Sequence, residues 1–132
     1  MNTEIELLDC VEINPAQPEA AALIAIHGLG ANGHDLTPAF DQMPFQKAVR
    51  LIFPHAPVRP VTLNQGLRMP AWYDILGLAD DTPQDEAGIY AAEQQMRDLI
   101  EREHQRGIPY QQIFMAGFSQ GGALALHTGL RF

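Results

Sequence analysis

Runs of apolar residues predict the strands of a buried sheet. Ala21–His27 is continuously apolar and is followed by a glycine, as expected for a central strand covered on both faces. Val49–Phe53 and Gln112–Ala116 are shorter runs of the same kind. Glu4–Ile13 alternates loosely between apolar and polar residues, which predicts a first strand and a candidate for the sheet edge.

Helical patterns separate and follow these strands. Thr37–Gln42 is short, with its first residue as the candidate N-cap and Pro38 at the first helical position. Thr82–Asp85 is a variant of the capping box and opens the longest helix, which Gly107 ends. The apolar residues of that helix recur every three or four positions: Ile89, Ala92, Met96, Leu99 and Ile100. With an Ala/Leu-rich helix after Ser119, the alternation predicts a parallel α/β sheet.

The segment His55–Asp81 has prolines at positions 57, 60 and 70 and no sustained period, so it is predicted to be a long loop. It is unusually apolar for a solvated loop, with Leu63, Leu67, Met69, Trp72, Tyr73, Ile75 and Leu76. Two interpretations stay open: the loop packs on the core as a flap, or it lines an apolar pocket.

Composition and charge narrow the function classes. The 132 residues are 46% hydrophobic and 18% charged, which predicts one globular domain over residues 1–132. The formal net charge is −8 and the eight Lys and Arg are scattered, which disfavours nucleic acid and anionic membranes as partners. A single cysteine, an acidic N-terminus and the lack of a membrane-length apolar run predict a soluble, cytoplasmic protein.

The pentapeptide Gly117-Phe118-Ser119-Gln120-Gly121 lies between a predicted strand and a predicted helix. G-x-S-x-G in that context is typical of a nucleophile elbow, a turn that strains the serine backbone and raises its Oγ from the sheet edge. We expect glycine at both ends because a Cβ there would collide with the neighbouring strand or helix. The alternative is a Gly/Ser turn that only joins the strand to the helix.

A second glycine motif, residues 28–33, follows the predicted central strand and matches the dinucleotide-binding pattern G-x-G-x-x-G. That pattern needs a helix beginning inside it, yet Pro38 follows five residues later. It also needs an acid at the end of the next strand, where the chain has Phe53-Pro54-His55. Acyl transfer instead needs backbone N–H donors for an oxyanion, which this loop can supply. The hydrolase interpretation is therefore favoured, with the dinucleotide site as a third alternative.

Four motifs in series, residues 27–36, 55–64, 69–75 and 117–123, resemble the bacterial carboxylesterase and acyl-protein thioesterase family over the whole chain. The resemblance implies an α/β-hydrolase fold and cofactor-free hydrolysis of esters or thioesters, with Ser119 as nucleophile. It implies Leu29 and Gln120 as the oxyanion N–H donors. It also implies that residues 72–78 wall the acyl pocket, with Trp72, Ile75, Leu76 and Leu78 as the substrate-binding residues.

The family's strand order implies a further strand beside Gln112–Ala116 that this chain does not contain. The far edge of Gln112–Ala116 would then be unpaired and open to pairing with another chain. We therefore expect self-association as one outcome for the isolated chain.

A serine hydroxyl needs a base and an orienting carboxylate, which follow it in α/β-hydrolases as Asp and then His. The thirteen residues after Ser119 contain no acid, and their one histidine, His127, lies ~12 Å away along the same helix. His27 and His104 are predicted to be structural, and His34 and His55 are weak candidates for the base. No metal site is predicted. We expect a truncated hydrolase of feeble activity; the alternative is a non-catalytic binding or assembly module.

Overall fold

The computed structural model describes residues 7–132, and its six strands form two sheets. The strands are β1 (Cys10–Ile13), β2 (Ala21–Ile26), β3 (Val49–Pro54), β4 (Val58–Val61), β5 (Leu67–Pro70) and β6 (Ile113–Gly117). The main sheet has the order β1-β3-β2-β6; β2 is parallel to β3 and β6, and β1 is antiparallel to β3. The predicted, mostly parallel sheet is confirmed, with the first strand at an edge.

The first strand is shorter than predicted. Residues 7–9 precede it without strand structure, and the part of the prediction over residues 4–6 lies outside the described residues. The other predicted strands of the main sheet agree with β2, β3 and β6 to within one residue at each end.

The core lies on both faces of β2, all six residues of which are buried. On one face the sheet packs against α2 (Glu86–Gln105) and α3 (Gln120–Arg131), through residues that include Met96, Leu99 and Leu124. On the other face Leu23 packs with Phe53 and with Phe40 of the short helix α1 (Thr37–Asp41). Helices therefore flank the sheet, as the alternation predicts.

The predicted N-caps of α1 and α2 are wrong. Asp85 caps α2, because its carboxylate accepts hydrogen bonds from the amides of Gly88 (3.1 Å) and Asp74 (2.9 Å), whereas Thr82 lies in the preceding loop. In α1 the cap position is residue 36. Thr37 is already helical and its hydroxyl donates to the carbonyl of residue 34 (2.9 Å), so Pro38 takes the second helical position.

The predicted long loop contains an antiparallel hairpin, β4–β5, which the frequent prolines hide in the sequence. Pro60 pairs with Arg68 in a two-stranded sheet, where a strand edge tolerates a residue without an N–H. Gln65 and Gly66 adopt left-handed conformations with φ of 59° and 80° before β5 begins. Residues 71–78 then follow the hairpin and contain the segment to which the acyl-binding role is assigned.

A buried ion-pair network ties α2 to the sheet. Glu103 is fully buried and pairs with Arg50 of β3, and its other oxygen lies 3.0 Å from Arg106. Arg50 also pairs with Glu19 at 2.8 Å. Burial opposes the charged form of Arg50, but hydrogen bonds to both carboxylates outweigh it and raise the pKa of Arg50. Arg50 is far from both of its carboxylate partners in the sequence, so no local pattern predicts these two pairs.

Candidate active site

Ser119 lies in the turn between β6 and α3. Its φ of 56° and ψ of −117° are outside the ordinary regions for a residue with a Cβ, and the residue is exposed. Strain of this kind persists where the surrounding structure holds one residue in a functional position. The turn thus presents a hydroxyl where a parallel strand ends and a helix begins.

Close packing around this turn requires the two flanking glycines. A Cβ on Gly117 would lie 2.2 Å from the Gly121 carbonyl oxygen, inside the first turn of α3. A Cβ on Gly121 would lie 2.2 Å from the carbonyl oxygen of Ile26, at the end of β2. The helix can therefore approach both strands only because these side chains are absent.

The loop after β2 packs directly on the serine turn. A Cβ on Gly28 would lie 3.4 Å from the Cβ of Ser119. Gly30 is left-handed, with φ of 76°, and its N–H donates to the Pro70 carbonyl (2.9 Å), which ties the loop to β5. Within residues 28–33, a 3-10 turn begins at the last glycine, residue 33, and the α-helix α1 does not begin until residue 37. This geometry favours the hydrolase interpretation of the motif over the dinucleotide one.

The predicted oxyanion donors lie in the two segments that meet here. Leu29 follows Gly28 in the loop, and Gln120 follows Ser119 at the start of α3. Among the described residues, neither backbone N–H donates a hydrogen bond to another backbone group. Within the described residues, no main-chain acceptor therefore competes with a ligand for either N–H group.

His27 supports this loop and is uncharged. It is buried, its Nδ1 donates to the Gly28 carbonyl (2.7 Å), and its Nε2 accepts from the Ala56 amide (3.0 Å). Burial lowers the pKa of His27, and the hydrogen bond to Gly28 offsets this only in part. Because both ring nitrogens are engaged with backbone groups, this histidine holds the loop in place.

The predicted acyl-binding residues have different environments. Trp72 is fully buried, and its indole N–H donates to the His27 carbonyl (2.9 Å). Ile75 is half-buried, Leu76 is 41% exposed and Leu78 is 82% exposed. The segment thus has a buried anchor at one end and accessible apolar side chains at the other.

The remaining histidines are engaged elsewhere. His127 Nε2 lies 2.7 Å from a carboxylate oxygen of Glu93 on α2, and His104 Nδ1 donates to the carbonyl of residue 108 (3.0 Å). His55 Nδ1 accepts from the amide of residue 33 (3.0 Å), and the exposed ring of His34 lies beside it, with centroids 5.4 Å apart. Within residues 7–132, none of them hydrogen-bonds to Ser119.

Sequence reasoning missed the side chain of Gln120. Its Oε1 accepts from the Trp72 amide and its Nε2 donates to the Tyr73 carbonyl, each at 2.9 Å. The residue is buried. A clue exists in the sequence, because Gln120 is a large polar residue in an otherwise glycine- and alanine-rich first helical turn, directly after the serine.

No three His, Cys, Asp or Glu side chains of the described chain come together in a way that could hold a metal ion. Over residues 7–132, no helix combines the length and the apolar character needed to cross a membrane.

Comparison with known proteins defines the class. The family model for phospholipases and carboxylesterases matches residues 9–132. The chain belongs to this family of α/β-hydrolases, which confirms the resemblance carried by its four motifs.

Among curated relatives, the chain is similar to acyl-protein thioesterase 1 of Schizosaccharomyces pombe. The two are 42% identical over 125 residues, which cover 95% of this chain and 56% of that protein. The chain is also 42% identical over 118 residues to acyl-protein thioesterase 1 of Neurospora crassa, covering 83% of this chain and 48% of the relative. It thus spans about half the length of the curated relatives it matches.

Solved structures confirm the predicted fold class. The crystal structure of Zea mays acyl-protein thioesterase 2 superposes with a TM-score of 0.80 at 30% identity, covering 91% of this chain and 50% of that one. Arabidopsis thaliana SOBER1 gives a TM-score of 0.78 at 31% identity, with coverages of 83% and 54%.

Proposed function

We propose that this protein hydrolyses carboxylic esters or thioesters through an acyl-enzyme formed on Ser119. The observation that carries the proposal is the exposed serine in a strained turn, with the glycine loop after β2 packed on it. Family membership supports the reaction class, and the relatives named acyl-protein thioesterase support acyl thioesters as substrates.

Each group of the site has a proposed role. Ser119 Oγ attacks the acyl carbonyl carbon, and the N–H groups of Leu29 and Gln120 stabilise the oxyanion that develops. A donor of this kind typically contributes about 3–4 kcal/mol to transition-state stabilisation. The acyl chain lies along the pocket segment, on Ile75, Leu76 and Leu78, with Trp72 as its buried anchor.

We propose low activity for these 132 residues by themselves. His127 Nε2 lies 2.7 Å from a carboxylate oxygen of Glu93, both ring nitrogens of His27 are engaged with backbone groups, and no acid follows Ser119 in this sequence. An oxyanion hole and substrate binding without a complete triad can still accelerate a reaction by ~10³–10⁴ over water.

A steady-state assay tests this activity. The chain and its Ser119→Ala variant are mixed separately with p-nitrophenyl butyrate and with an S-acyl thioester. We expect slow turnover that Ser119→Ala abolishes. Full esterase rates that depend on Ser119 would mean that a histidine of this chain, His34 or His55, acts as the base, and would contradict the proposed low activity.

The second candidate function is a non-catalytic binding or assembly module. It is favoured by the engagement of His127 with Glu93 and by the free edge of β6, which pairs only with β2 among the described strands. Turnover equal in the chain and in Ser119→Ala, together with stable self-association, would support this candidate over hydrolysis.

The cytoplasm is the proposed compartment. The sequence holds one cysteine, Cys10, which cannot form a disulfide within these residues and so fits a reducing compartment. Burial raises the pKa of its thiol to about 11. A thiol in that state is a poor nucleophile, and its role is to fill space in β1. A fluorescent fusion of the full protein, imaged in cells, tests the location.

A further inference from the structure

The backbone of the pocket segment is fixed at successive residues by different elements. The Trp72 amide and the Tyr73 carbonyl bind the Gln120 side chain, each at 2.9 Å. The next amide, of residue 74, donates to Asp85 at the N-terminus of α2 (2.9 Å), and the carbonyl of residue 75 accepts from the amide of residue 63 (2.9 Å). Of these partners, only Gln120 belongs to the serine turn.

We propose that the Gln120 carboxamide is a positioning residue that holds the acyl-binding segment in register with the nucleophile. The inference rests on the proposed function and deepens it, because it assigns to one residue two separate tasks. The backbone N–H of Gln120 serves the oxyanion, while its side chain sets the distance between the serine turn and residues 72–78.

The chemistry of an amide suits this position. Gln120 Oε1 meets an N–H donor and Nε2 meets a carbonyl acceptor, so the carboxamide satisfies two backbone groups of opposite polarity. Trp72 and Gln120 are both buried, so an unpaired group here would be costly. A Glu carboxylate could accept from Trp72 but would place a second acceptor against Tyr73. A Met side chain of similar length could do neither.

The consequence is a dependence of acyl selectivity on Gln120. Trp72 lies at the start of the segment whose exposed residues, Leu76 and Leu78, follow it in the chain. A shift at Trp72 strains the segment against its other anchors at residues 74 and 75, so we expect it to disturb the surface for a long acyl chain more than the site of a short acyl group at Ser119.

Hydrogen exchange on the whole chain tests the proposal without requiring turnover. In Gln120→Met we expect the Trp72 amide to exchange about tenfold faster than in the parent chain, as for the loss of a buried hydrogen bond. Gln105→Met, at an exposed position of α2, is the matched control and should leave this amide unchanged. Unchanged protection of Trp72 in Gln120→Met overturns the proposal.

Gln120→Glu gives a second test, because a residue that only fills space would not make the protection of Trp72 depend on pH. Burial at this position keeps a carboxyl protonated at a higher pH than its ordinary pKa of ~4.3 allows. Protonated Glu can donate to the Tyr73 carbonyl and accept from Trp72, so acidification to about pH 5 should restore the protection that is lost near about pH 8. Rates are compared with the parent chain at each pH, and the emission of Trp72, the single tryptophan, follows the same change. If the protection of the Trp72 amide in Gln120→Glu does not depend on pH, the proposal is overturned. This test remains decisive even if Gln120→Met does not fold.

A kinetic measurement separates this inference from the proposed function. With p-nitrophenyl octanoate, we expect the KM of Gln120→Met to rise about tenfold, and with the acetate we expect a distinctly smaller rise. If the parent chain turns over neither ester, the proposed function fails while the exchange experiment still decides the role of Gln120. Equal changes in KM for both esters overturn the role in acyl selectivity.

Discussion

Gly28 lies beside Ser119 with no room to spare for a side chain: a Cβ on Gly28 would lie 3.4 Å from the Cβ of Ser119 and 3.3 Å from the Phe118 carbonyl oxygen. The relationship joins the end of β2 to the turn after β6, two parallel neighbours in the sheet. It brings the loop with the proposed oxyanion donor Leu29 against the proposed nucleophile Ser119 without any contact that is local in sequence.

Gly28→Ala is expected to lower activity much more than stability. The added methyl fits if its neighbours shift by a few tenths of an ångström, so we expect the free energy of unfolding to fall by less than ~1.5 kcal/mol. The same shift displaces the Leu29 N–H, and a misplaced oxyanion donor costs about 10²-fold in rate. Urea unfolding and ester turnover of the same preparation check both parts. A variant with unchanged turnover would contradict the assignment of the loop.

Gly121→Ala is expected to destabilise the fold. Its Cβ would lie 2.2 Å from the Ile26 carbonyl oxygen and 2.4 Å from that of His27, so α3 must move away from β2. We expect a loss of ~3 kcal/mol or more in the free energy of unfolding. Gly129→Ala is the matched control in the same helix, because its Cβ meets nothing within 4 Å, and it should stabilise by about 0.5–1 kcal/mol. Equal effects of the two substitutions would contradict the packing described.

Stability should decline in mildly acidic solution because of His27. Burial holds its folded-state pKa below the ordinary value of 6.5, so the unfolded chain binds a proton that the folded chain does not. Between those two pKa values the free energy of unfolding decreases as the pH is lowered, by at most ~1.4 kcal/mol per pH unit. Above about pH 7.5 this contribution of His27 is constant. In His27→Gln the decline should be shallower. Parallel curves for the two chains, from urea unfolding between about pH 8 and about pH 5, would contradict a neutral His27.

Self-association is expected through the free edge of β6. Phe114 is 51% exposed there, and a cleft of about 430 Å³ beside it is lined mostly by apolar residues, among them Leu23 and Val49. Phe114→Lys should shift the chain toward the monomer in sedimentation at micromolar concentration, because an edge charge disfavours strand pairing. Val58→Lys, with a similar exposure of 54% on the β4–β5 hairpin, is the control. A parent chain that is wholly monomeric would contradict the expectation.

The central strands and the serine turn could be predicted because their chemistry is local. The apolar run of β2 and the G-x-S-x-G pentapeptide each carry their own pattern. The N-cap of α2 could not be predicted, because Thr82 and Asp85 are both suitable N-cap residues. The hydrogen bond from the Asp74 amide, a tertiary contact, favours Asp85. The hairpin could not be predicted either. Pro60 is compatible only with an edge strand, and the sequence does not show which strands lie at an edge.

The site itself was only partly predictable. The resemblance assigned Trp72 to the acyl pocket, whereas its full burial and its bond to His27 are properties of the assembled fold. The same holds for the Gln120 side chain, whose two partners lie 48 and 47 residues away in the chain. Roles that depend on long-range hydrogen bonds leave little trace in a single sequence.

The most direct test of the central claim is covalent labelling of the nucleophile. The chain is incubated with a p-nitrophenyl alkylphosphonate, which leaves a stable adduct on an activated serine, and peptide mass spectrometry locates the adduct. We predict slow modification at Ser119 alone, absent from Ser119→Ala and at least about tenfold slower in Gly28→Ala. Modification at another residue, or at the same rate in Ser119→Ala, would contradict the assignment of Ser119 as the nucleophile.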